Sequence, residues 1–122
     1  MTLIGIDHVQ LAMPESGEAL ARSFYALVLG LAEVVKPEEL AARGGVWFRC
    51  GRVQLHLGVE ENFRPARKAH PGFLVGDVEE LSVVLEKAGF GVAVDTDHLG
   101  RSRLYVDDPF GNPLEFVETP AT

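Results

Sequence analysis

At 122 residues, 47% of them hydrophobic, the chain can bury one core, or two small cores sharing an interface, but not two independent domains. Eleven basic against 18 acidic residues leave a net charge of −7, which opposes attraction to nucleic acid or to an anionic membrane, so neither is an expected partner. Cys50 is the only cysteine, which excludes an intrachain disulfide framework and a Cys-rich zinc motif. The opening MTLIGIDHVQLAMPESGEAL lacks a basic flank followed by a sustained apolar run, and no window approaches the roughly 18 to 20 apolar residues that span a bilayer. The expectation is a cytoplasmic protein.

Ile4, Ile6, Val9, Leu11 and Met13 form an apolar stretch that stops at Pro14, where the donor to a strand ladder is missing; this predicts a first strand. From Glu15 to Leu29, Leu20, Phe24, Leu27 and Val28, with Ala19, recur at three-to-four spacing, and Gly30 stands where a left-handed terminating residue belongs. This predicts an amphipathic helix. Ala32 to Val35, Val46 to Cys50 and Val53 to Val59 are extended segments broken by Gly44-Gly45 and Gly51-Arg52, so the first half reads β-α-β-β-β.

Residues 60 to 69 are polar, carry Pro65 and the bases Arg64, Arg67 and Lys68, and read as a surface connector. The pattern then restarts. Gly72 to Val75 is a short strand, and Val78 to Ala88 a helix with Val78, Leu81, Val84 and Leu85 on one face, ended by Gly89. Val92 to Val94, Arg103 to Val106 and Leu114 to Val117 supply three more strands, separated by His98-Leu99-Gly100 and by the turn Asp107-Asp108-Pro109-Phe110-Gly111-Asn112.

The halves repeat. His8 and His70 stand 62 positions apart, Gly30 and Gly89 stand 59 apart, and His56 and Glu115 also 59. A period near 60 residues implies two similar modules, about 1–59 and 70–118 with the connector 60–69 between them, each too small to bury its sheet alone. They form a single domain of the α+β class.

The repeat matters for what occupies its equivalent places. His8 and His70 open the first strand of each module, and His56 and Glu115 sit within the last. Three imidazoles and a carboxylate are a donor set for one divalent ion: zinc, nickel, manganese, cobalt or iron. Convergence requires the first and last strands of each module to be neighbours. Leu55 and Leu57 alternate around His56, and Leu114 and Phe116 around Glu115, so each polar side chain points away from its apolar neighbours. The plainer reading, two modules directing polar residues into a wet cleft, stands beside the metal reading at this stage. Only His98 lies outside the set.

His8-Val9-Gln10-Leu11, Phe24-Tyr25 with Val28-Leu29-Gly30-Leu31, and Asp107-Asp108-Pro109-Phe110-Gly111-Asn112-Pro113-Leu114-Glu115-Phe116 together resemble the vicinal oxygen chelate superfamily. That group contains glyoxalase, fosfomycin-resistance, bleomycin-resistance and extradiol-dioxygenase proteins. The resemblance covers about residues 4 to 118, and its most specific part is the segment from Asp108 to Glu115. It implies paired βαβββ modules forming a cup-shaped mixed sheet around a metal, in a homodimer. By position, His8, His70 and Glu115 match the two-His-one-Glu set of the dioxygenase and fosfomycin-resistance branches. His56 falls at the fourth ligand place of the glyoxalase branch, which usually holds an acid.

With His56 as a ligand, three neutral imidazoles and one carboxylate leave a dication site at about +1, which favours a bound enediolate. With His56 outside it, the donors are the two-His-one-carboxylate set of oxygen-activating iron. The expected function is a metal-dependent lyase or isomerase, of the lactoylglutathione lyase kind, acting on a small substrate with vicinal oxygens. Glu115 is the expected base and His56 the second choice. The alternatives are a ring-cleaving dioxygenase or thiol transferase, and a metal-free drug- or metabolite-binding protein of the bleomycin-resistance type. Arg49 with Trp47 and Arg103 with Tyr105 share strand faces, and each pair either lines a substrate pocket or is an outward charge beside a core aromatic.

Overall fold

Strand alternation builds both halves. The computed structural model describes residues 1–119. It divides into two compact units between Arg64 and Pro65, within the polar connector.

In the first unit, β1 (Val9–Met13), β2 (Ala32–Val34), β3 (Val46–Cys50) and β4 (Val53–Val59) form one sheet in the order β1-β4-β3-β2. β1 runs parallel to β4, and the other pairs are antiparallel. Leu55, Leu57, Val46 and Phe48 are buried together with Met13, Ala21, Phe24 and Tyr25. Each large side chain fully buried this way stabilises the fold by about 1.5 to 3 kcal/mol. The opposite face carries the cross-strand row Gln10, His56, Trp47, Val34.

The first strand is shorter than its sequence suggests. Ile4 and Ile6 precede it and are exposed, and pairing begins only at Val9. The predicted helix is present, as α1 (Glu18–Ala21) running into a π-helical turn over Arg22–Val28. The Leu29 amide donates to the Phe24 carbonyl five residues back, at 2.9 Å. The buried stripe is Ala21, Phe24 and Tyr25, and Leu20 and Leu27 are exposed, a correction to the face assigned from the sequence. A short helix, α2 (Glu38–Ala41), follows Pro37 and was not expected.

The second unit repeats the plan with β5 (Gly72–Val75), α3 (Val78–Lys87), β6 (Val92–Thr96), β7 (Ser102–Asp107) and β8 (Pro113–Glu118), its sheet ordered β5-β8-β7-β6. β5 and β8 are parallel. The α3 N-terminus is capped by Asp77, whose carboxylate accepts from the Glu80 amide at 3.0 Å, and Glu118 accepts from the Val78 amide at 2.9 Å. Val78 and Leu85 are buried as expected, whereas Val84 lies on the exposed flank.

The turn before β8 explains its sequence. The buried Asp108 takes the Phe110 and Asn112 amides on Oδ1, each at 2.9 Å, and the Asn112 side-chain amide on Oδ2 at 2.9 Å. Gly111, at φ 90°, supplies the left-handed step that brings residue 112 back to the carboxylate. Asp97 repeats the device, with Leu99 and Arg101 as donors and Gly100 at φ 80°.

Candidate functional site

The adjacency that the metal reading required is present within each unit: β1 pairs with β4, and β5 with β8.

In the first unit His56 is buried in a stack of three rings. Trp47, its cross-strand neighbour, lies 4.0 Å away centroid to centroid at 6°, and His8 lies on the other side at 4.4 Å and 17°. Burial lowers the proton affinity of His56, and the His8 and Lys36 charges lower it further against the opposing Asp7 carboxylate. His56 is therefore held as a neutral imidazole. His8, just before β1, has Nδ1 2.8 Å from Asp7 Oδ2. A carboxylate only accepts, so Nδ1 is the donor in this contact.

In the second unit His70 and Glu115 are in direct contact, Nε2 to Oε1 at 2.8 Å, and His70 Nδ1 is 2.8 Å from the Lys68 carbonyl oxygen. Both ring nitrogens thus face acceptors. The Lys68 carbonyl first and the Glu115 carboxylate second raise the His70 pKa above the usual imidazole value. Glu115 faces away from the buried Leu114 and Phe116, as alternation predicts. Its Oε2 is 3.8 Å from an Arg103 nitrogen, and Arg103 is gripped by Asp95 through contacts of 2.9 and 3.2 Å. The guanidinium lies 5.1 Å from the Tyr105 ring centroid. Arg103 and Tyr105 thus border Glu115. Arg49 is exposed, while Trp47 turns its face to His56.

The four candidate residues are brought together two and two: His8 with His56, and His70 with Glu115. Among the described residues no three His, Cys, Asp or Glu side chains stand grouped as a metal-holding set. The donor chemistry nonetheless fits a borderline dication. His8 and His70 each set Nδ1 against an oxygen acceptor, the arrangement that orients metal-ligating imidazoles, and His70 Nε2 faces the Glu115 carboxylate. Sequence reasoning missed Asp7 and the Lys68 carbonyl in this role. An acid directly preceding a candidate histidine was the available signal for the first, whereas a backbone carbonyl leaves none.

Fold and site together define a duplicated β-α-β-β-β protein with imidazole and carboxylate donors at matching places of its two sheets. The chain belongs to the Glyoxalase/Bleomycin resistance protein/Dioxygenase superfamily, whose family model matches residues 5–116. Among solved structures, a protein of Bacillus anthracis assigned to the glyoxalase family is 48% identical, with 98% of each chain covered and a TM-score of 0.92. A lactoylglutathione lyase of Agrobacterium tumefaciens is 26% identical over 90% of this chain and 91% of its own, with a TM-score of 0.67. A glyoxalase family protein of Enterococcus faecalis, 21% identical over 93% of this chain and 97% of its own with a TM-score of 0.72, shares the fold. No curated protein matches. Among the described residues no helix is long and apolar enough to cross a membrane.

Proposed function

We propose that the chain is a metal-dependent enzyme that acts on a small substrate with vicinal oxygens by lyase or isomerase chemistry. The observation that carries this reading is the shared anchoring of His8 and His70, each with Nδ1 set against an oxygen acceptor, together with the direct contact of His70 Nε2 on Glu115. His8, His70 and Glu115 would hold the ion, with His56 as the fourth donor. A dication there would polarise the substrate oxygens and stabilise negative charge on them.

Glu115, loosened from the ion, is the base in this reading. Its Oε1 takes a proton from the carbon beside the substrate carbonyl and returns it to the neighbouring carbon, while Arg103 faces Oε2 and stays fixed by Asp95. Tyr105, the cross-strand partner of Glu115, walls the same face. His56, kept neutral by burial, is the second candidate base.

A second reading is favoured by one observation: His56 is covered on both ring faces, by Trp47 and His8. If the stack holds His56 away from the metal, the remaining two-His-one-Glu set suits a ring-cleaving dioxygenase or a thiol transferase. The proposal includes a homodimer, supported by the exposed Leu3, Ile4 and Ile6 ahead of β1, and a cytoplasmic location, supported by the single unpaired Cys50.

The test is a turnover survey of metal-loaded protein with glutathione hemithioacetals, catechols, and epoxides plus thiol, repeated with Glu115→Gln. Turnover of hemithioacetals that is abolished by the substitution supports the lyase reading. Catechol cleavage or thiol transfer selects the second. No turnover of any class, or turnover unchanged in Glu115→Gln, contradicts the enzymatic proposal and leaves the binding-protein alternative.

A further inference from the structure

Beside the Trp47–His56 stack, the first unit carries a cleft of about 260 Å³ walled by Gln10, Lys36, Leu40, Arg43, Trp47 and Val59. Its two charged walls are both cations, in a chain of net charge −7. The larger hollows of the second unit are walled by carboxylates instead: Asp77, Glu79 and Glu118 in one, Asp107 and Asp108 in the other. Of these three hollows, only the cleft beside the Trp47–His56 stack carries cations and no carboxylate.

The cations are available. The partly buried Lys36 donates one Nζ hydrogen to the Gly44 carbonyl, which fixes the ammonium at the cleft and leaves two donors. The acid that feels its charge, Glu18, is committed to the Gly45 amide at 2.7 Å. Among the described residues neither Lys36 nor Arg43 forms an ion pair. Gln10 lays its side-chain amide over Gly58, where an added Cβ would stand 2.9 Å from Nε2, so a neutral polar group completes the floor.

Size decides how much of a ligand fits. At roughly 30 Å³ per water the cleft holds eight or nine waters' worth of volume. That falls below the roughly 300 to 1,000 Å³ of pockets that enclose whole ligands, so it suits one end of a molecule. We propose that this cleft binds an oxyanion, a carboxylate or a phosphate, at one end of the substrate, with Lys36 and Arg43 as counter-charges and the Trp47 ring as the apolar wall. The substrate is then an acid whose other end reaches the His56 side of the sheet. Calling the occupant substrate rests on the function proposed above; binding of the anion does not.

Trp47 is the only tryptophan, so its emission reports the cleft directly. Metal-stripped full-length protein is titrated at fixed ionic strength with succinate, inorganic phosphate and neutral succinamide, alongside Lys36→Met and Arg43→Gln. A saturable response to succinate or phosphate, absent with succinamide and weakened at least about tenfold in each variant, is expected, since a charged hydrogen bond is being removed. The tighter anion identifies the source. A response to succinamide equal to that of succinate, no response to either anion, or affinities unchanged in the variants would overturn the proposal. Arg43 is exposed, so Arg43→Gln keeps the test valid should Lys36→Met unsettle the Gly44 loop. Metal is absent throughout, so failure here is distinct from failure of the metal reading, which is judged by metal stoichiometry.

Discussion

His70 and Glu115 lie 45 residues apart in sequence and meet at 2.8 Å, Nε2 to Oε1. The contact follows from topology. β5 and β8 are parallel neighbours in a register that sets Gly72 opposite Glu115, so a histidine two residues before β5 reaches a carboxylate on the open face of β8. In the first unit the equivalent parallel pair, β1 and β4, brings His8 onto His56. One arrangement used twice delivers two donors per unit.

Asp7 holds His8 Nδ1 at 2.8 Å but is itself exposed, so it contributes little to stability. Its value is in fixing the tautomer. Asp7→Ala is expected to weaken metal affinity about 10- to 100-fold while the unfolding midpoint stays nearly constant. Metal titration beside thermal unfolding separates the two effects, and a matched loss of both would contradict the orienting role.

Asp97 gives the pH dependence a sign. Burial raises its pKa, but hydrogen bonds from Arg101 and Leu99 more than reverse this, so the folded value lies below the ordinary one. A lowered carboxylate stabilises the fold above the unfolded pKa of about 3.9, and that stability is lost as pH falls through the folded value. Urea unfolding of wild type and Asp97→Asn from pH 7 to pH 3 should show a constant difference above about pH 5 that shrinks toward pH 3. A difference that grows on acidification would contradict the assignment.

Gly45 and Gly89 both have positive φ, 88° and 92°, but only Gly45 is crowded: an added Cβ would run into the Leu57 carbonyl oxygen, whereas nothing lies within 4 Å at Gly89. Gly89→Ala should cost about 1 to 2 kcal/mol from backbone strain alone. Gly45→Ala adds a clash with β4, for a total of about 2 to 5 kcal/mol. Denaturant midpoints measure both, and equal losses would show that the loop before β3 gives way.

Much of this was legible because strand alternation is a local rule. Leu55-His56-Leu57 and Leu114-Glu115-Phe116 each announce which face their polar residue takes, and the bounds of β3, β4 and β5 follow from turn residues beside them. The π-turn was not legible. Nor was the helix's buried face, because two apolar stripes compete on it and packing selects Ala21, Phe24 and Tyr25 over Leu20 and Leu27. Ile4 and Ile6 mislead in the same way, since apolar character cannot extend β1 beyond the span that β4 pairs with. The Asp7–His8 and Glu115–Arg103–Asp95 contacts were not legible, because charge type alone does not say which acid a base will meet.

The central claim is that His8, His70 and Glu115 are metal ligands. Equilibrium dialysis of metal-stripped protein against zinc, nickel, manganese, cobalt and iron(II), with His8→Ala, His70→Ala and Glu115→Ala in parallel, tests it most directly. One ion per chain for at least one of these metals, bound at least about tenfold more weakly by each variant, is the predicted result. Absence of stoichiometric binding in the wild type, or equal binding by all three variants, would contradict it.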